Sequence, residues 1–163
     1  MSSRLLVGAL ALAMIGTAAP VWAKTFSNKN VKGTYAVKFS GLAAGSANPF
    51  PTSSSLPESG TGTETADGKG NFTASIVFSS GGTTCSGTVA GTYVVNPDGT
   101  GTSKGTFTPI AMAPSGIPAL NYSCPSQGGP QDEAFTIVGR GKIDIISTDP
   151  DLVSSGTAEL QTK

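Results

Sequence analysis

Between Glu58 and Pro109 three turn signals cut the chain: Asp67-Gly68-Lys69-Gly70-Asn71, Ser79-Ser80-Gly81-Gly82 and Asn96-Pro97-Asp98-Gly99. The residues between them are Thr, Val, Ile, Tyr and Phe alternating with small polar residues, a composition that fits half-buried, pleated strands. In the third signal Pro97 presets φ and Gly99 accepts a positive φ, which suits a type I turn closed by a bulge. The first signal offers two glycines and two residues that tolerate the left-handed region. Together they predict consecutive antiparallel strands over Gly60–Ala66, Phe72–Phe78, Thr83–Val95 and Thr100–Pro109. Phe72, Ala74, Ile76 and Phe78 share one face, as do Cys85, Val89, Tyr93 and Val95.

The rest of the chain extends this pattern. Val31–Gly41 alternates Tyr35, Val37 and Phe39 against Lys32, Thr34 and Lys38, and reads as a first strand. Residues 42–57 and 110–131 carry clustered prolines and no periodicity, so both read as irregular loops, the first a possible lid. Within the second, Leu120–Ser123 could form a short edge strand. Ala134–Val138, the turn Gly139-Arg140-Gly141 and Lys142–Ser147 form a hairpin; Ser154–Gln161 is the last strand. The sum is about eight strands and no convincing helix in the mature chain. Glycines inside strands, such as Gly60, Gly62, Gly87, Gly91, Gly101 and Gly105, need a bend or a close approach to justify them. They favour a single all-β meander closed, or nearly closed, into a barrel, with a sandwich as the alternative.

Met1–Ala23 has the form of a Sec-type signal peptide: Arg4, an apolar run Leu5–Ile15, and Val21-Trp22-Ala23 before the cleavage point. The run is short for a membrane span. Cleavage after Ala23 leaves 163 − 23 = 140 residues, enough for one domain over 24–163 that is secreted or periplasmic. No stable membrane insertion is expected after cleavage. Removing Arg4 leaves nine basic residues against ten acidic ones, which gives nucleic acid no basic patch to bind. Cys85 and Cys124 are the two cysteines. In an oxidising compartment they predict one structural disulfide rather than a redox or metal pair.

The landmarks Gly33-Thr34-Tyr35, Ala66-Asp67-Gly68-Lys69-Gly70-Asn71, Gly91-Thr92-Tyr93 through Gly101, and Ile146-Ser147-Thr148-Asp149-Pro150 with Ser155-Gly156-Thr157-Ala158 stand in a recognisable order. That order resembles a loose group of small secreted bacterial Gly/Thr-rich proteins similar to calycin-type barrels (lipocalin-like or allene-oxide-cyclase-like). The resemblance spans most of the mature chain and implies a barrel. It carries no catalytic residue across.

The chain has no His, so a Ser-His-Asp triad and a His-ligated metal are excluded. No cofactor or metal site is expected, and no catalytic residue is assigned. Asp67, Asp98, Asp149 and Asp151 sit in turn signals, where capping the backbone accounts for them. Glu64, Asp144 and Glu159 fall in strands; outward, solvated carboxylates are the expectation there, and one pointing inward would be an acid or a ligand contact. Tyr35, Phe39, Phe72, Phe78, Tyr93, Phe107 and Phe135 supply the bulk for the interior. They either fill it or line an apolar ligand pocket. Three functions follow in order of preference: a non-enzymatic barrel binding a small apolar or amphipathic ligand, a surface or matrix interaction module, and a cyclase- or isomerase-like enzyme that would need a buried carboxylate or Tyr facing a cavity.

Overall fold

The computed structural model describes residues 25–44, 55–80, 82–112, 129–150 and 152–161. Eight antiparallel strands form a closed barrel in simple up-and-down order. They are β1 Gly33–Ala44, β2 Ser55–Ala66, β3 Asn71–Ser80, β4 Thr83–Val95, β5 Thr100–Met112, β6 Gly129–Gly139, β7 Lys142–Ser147 and β8 Leu152–Leu160. Closure comes from β1 pairing with β8, with Tyr35 opposite Leu160 and Ala43 opposite Leu152. The period of two places Tyr35 and Val37 inside beside the half-buried Phe39, and leaves Lys32, Thr34 and Lys38 exposed.

Several boundaries differ from the sequence reading. Val31 belongs to a 3₁₀ turn, Asn28–Val31, that precedes β1. The Ser27 N–H donates to Asn30 Oδ1 at 2.8 Å, and this local bond competes with extended backbone. The proposed loop 42–57 is strand at both ends, since Leu42 pairs with Pro57 and Ala44 with Ser55. The loop 110–131 likewise loses its ends: β5 runs to Met112 and β6 starts at Gly129 rather than at 134. The prolines misled here because a strand admits them near its ends and where the ladder is already broken. Pro109 stands where the β4–β5 register shifts between Ser86 and Gly87. Residues 45–54 and 113–128, and with them the lid and the strand Leu120–Ser123, lie outside the described residues.

The two ends of the barrel are unlike. At one end Asp67 accepts the amides of Lys69, Gly70 and Asn71 at 2.6–3.0 Å, and Gly99 (φ +92°) closes the next turn on Asn96 O at 3.0 Å. The 3₁₀ turn plugs this end. Val31 is buried there, Asn28 Oδ1 accepts the Val95 amide at 2.8 Å, and the Tyr93 hydroxyl accepts from Gly68 N at 2.9 Å and donates to Asn28 O at 3.3 Å. At the other end lie the connections β1–β2, β3–β4, β5–β6 and β7–β8.

The strand glycines answer to close approach. A Cβ on Gly60 would run into the Phe39 ring and Phe78 Cβ, and one on Gly101 into the Phe135 ring. Each ring lies over the bare backbone of a neighbouring strand, where a side chain would otherwise stand.

A lumenal cavity with a carboxylate floor

The inward rings do not fill the barrel. A cavity of about 350 Å³ remains, within the range of small-ligand pockets. Its aromatic and branched walls come chiefly from β1, β3, β4 and β5, with Phe39, Phe72, Ile76, Phe78, Val89 and Phe107, and β7 and β8 close the circle with Ile145 and Leu152. The Phe78 centroid lies 6.4 Å from that of Phe39 and 5.7 Å from that of Phe107, the second pair edge-to-face at 73°. This geometry favours aromatic contact and fixes the rings in place. Of the seven aromatics singled out in the sequence, Phe39, Phe72, Phe78 and Phe107 line the cavity. Tyr93 and Phe135 border a smaller void of about 20 Å³ toward the plugged end, and Tyr35, 1% exposed, is packed in the core without lining either.

Two carboxylates separate cavity from void. Glu64 on β2 and Glu133 on β6 line both spaces. The Ser103 hydroxyl donates to Glu133 Oε2 at 3.0 Å. Glu64 has no hydrogen-bond partner among the described residues. Burial, and secondarily the Glu133 charge, push the Glu64 pKa up to about 7. Glu133 is raised by burial, with the Ser103 bond opposing and the Asp149 charge adding to the shift. Tyr35 and Tyr93 are raised mainly by burial. Farther from the plugged end Glu58 also lines the cavity and is raised by burial. The fully buried Ser80 hydroxyl is close enough to oppose that shift, yet it forms no hydrogen bond of ordinary geometry among the described residues. Asp149 accepts the Asp132 amide at 3.1 Å and ties the β7–β8 turn to the start of β6.

The inward Glu64 corrects the expectation of outward carboxylates; Asp144 and Glu159 are exposed as expected. The reason is register. Glu64 faces Ala74 across the ladder and Ala66 faces Phe72, and directly opposed residues share a face. The inward parity of Phe72 and Ile76 therefore sets that of Glu64. Glu133 was missed because the strand was begun at Ala134, five residues after its true start at Gly129, although it continues the alternation of Phe135 and Ile137. Cys85 is buried in β4, while Cys124 lies outside the described residues.

Compared with known protein families, curated proteins and solved structures, the chain matches none.

Proposed function

We propose that this chain is an exported, non-enzymatic β-barrel that holds one small apolar or amphipathic molecule in its lumen. The observation that carries the reading is the aromatic-walled cavity of about 350 Å³, plugged at one end by the 3₁₀ turn. Apolar surface left open to water inside a barrel gains by covering, at roughly 25 cal/mol per Å² buried. The up-and-down closure supports the calycin-type resemblance, and the Cys85–Cys124 bridge and signal cleavage after Ala23 belong to the same reading of an exported protein. An interaction module working through a free sheet edge is disfavoured, because each of the eight strands is paired on both sides.

The test is calorimetric titration with octanol, an uncharged chain. The mature protein should bind one molecule per barrel. Ala74→Phe, which places a ring in the cavity from β3, should abolish binding while thermal unfolding shows the barrel intact. Binding of neither octanol nor the chain of the same length bearing an amine or a carboxylate, or equal octanol binding by the filled variant, removes the proposal. One observation favours a second reading, the cyclase- or isomerase-like enzyme: Glu64 faces the cavity with a pKa suited to proton transfer near neutrality. Recovery of a chemically altered ligand after incubation would decide for it.

A further inference from the structure

We infer that the lumenal ligand is an amphipathic cation, an alkyl or aryl ammonium compound whose charged head is held between Glu64 and Glu133 and whose apolar body lies against Phe78 and its neighbours. The inference rests on the lumen-binding reading above. Its basis is an imbalance of charge. Glu64 from β2 and Glu133 from β6 face the same space, with Glu58 farther from the plugged end. The Glu64 charge in turn acts on Tyr35 from β1 and Tyr93 from β4, both acids, and Asp149, which also lines the cavity, acts on Glu133. Lys38 borders the cavity, but its side chain is exposed. Among the described residues the one salt bridge, Lys104–Asp132 at 3.9 Å, is on the outer surface.

Two half-buried carboxyls with no buried base beside them among the described residues are costly in the ionised state. In the empty barrel the pair lowers that cost by keeping a proton, which is what the raised pKa of Glu64 expresses. A bound ammonium group supplies the missing countercharge. It donates up to three hydrogen bonds to acceptors of which Glu64 has used none within the described residues and Glu133 has used one, to Ser103. A carboxylate ligand would add a third negative charge to the floor and is rejected. An alcohol fills the same apolar volume without answering the charge.

The experiment compares octylamine, octanol and octanoate as calorimetric probes of the full mature protein. At about pH 8, where Glu64 is ionised, octylamine should bind about tenfold or more tightly than octanol, as a charge-assisted contact warrants. Octanoate should bind weakest. The alkylammonium stays protonated across the range, so binding to the ionised floor expels the Glu64 proton. Amine affinity should therefore fall as pH is lowered from about 8 to about 5.5, while octanol affinity should stay level. Glu64→Gln, which keeps the size of the side chain, should bring the preference for the amine over octanol to within about threefold and flatten its pH dependence. If octanol binds as well as octylamine, or the preference survives both Glu64→Gln and Glu133→Gln, the cation inference is overturned and the lumen reading stands. If no probe binds, the lumen reading falls as well.

Discussion

Glu64→Gln should stabilise the empty barrel, and by an amount that depends on pH. In the unfolded chain the carboxyl titrates near its ordinary value of 4.5; in the barrel it titrates at about 7. Below pH 4.5 both states hold the proton, and the contribution of Glu64 to stability is fully present. As pH rises toward 7 the unfolded chain releases the proton while the barrel retains it, so stability falls across this window and levels above it. A gap of about 2.5 units at 1.36 kcal/mol each gives a loss of about 3 kcal/mol. Gln keeps the shape of the acid and never ionises. At about pH 8 the variant should therefore exceed the parent by up to about 3 kcal/mol, and at about pH 4 the two should agree within about 1 kcal/mol. Urea unfolding at several pH values, with equal m-values, measures the difference directly. Burial also raises Glu58 and Glu133, but subtracting parent from variant isolates position 64 and its coupling to Glu133. A variant less stable at pH 8, or a difference that does not change with pH, would refute the reasoning.

Three further outcomes follow from the same structure. Tyr93→Phe removes the hydroxyl that joins Gly68 N to Asn28 O; chemical denaturation should show a loss of about 1–2 kcal/mol, since a buried amide loses its acceptor. Gly60→Val drives a side chain into the Phe39 ring and the Phe78 Cβ, and should cost about 2 kcal/mol or more by overpacking, seen as a lowered melting temperature. If Cys85 and Cys124 are bridged in the exported protein, the closed loop spans 124 − 85 = 39 residues. Reductant should then lower stability by about 4 kcal/mol in the chain-entropy account, whereas an unchanged melting temperature would mean that the bridge is absent or idle.

How much of this could be read in the chain depended on whether local chemistry decided the matter. Thr83–Val95 and Lys142–Ser147 came out with the boundaries of β4 and β7, because positive-φ glycines or a proline turn punctuate their ends. The inward faces of β3 and β4 were legible from alternation alone. Strand ends at Leu42–Ala44, Ser55–Pro57 and Gly129–Glu133 were not, because Pro57, Pro109 and Pro130 read as breakers. Pro109 is tolerated where the β4–β5 register shifts, and Pro57 and Pro130 near the ends of their strands, opposite Leu42 and Thr106; these are tertiary facts. The strand glycines announced a barrel but not their use as seats for Phe39, Phe107 and Phe135. That use required knowing which strand lay alongside. The cavity was out of reach for the same reason: its volume is the difference between the barrel's girth and the rings that enter it. Glu64 could have been placed by carrying the register of the Asp67–Asn71 turn backward through β2, which requires first accepting the hairpin.

The most direct test of the account is native mass spectrometry of the mature protein purified from its own host. The predicted result is a chain beginning at Lys24, of 163 − 23 = 140 residues, two hydrogens lighter for the bridge. It should carry one additional small mass per chain that is lost on denaturation and belongs to an amine. A bare chain under gentle conditions, at the mass of the protein alone, would contradict the claim that the lumen is built to be occupied.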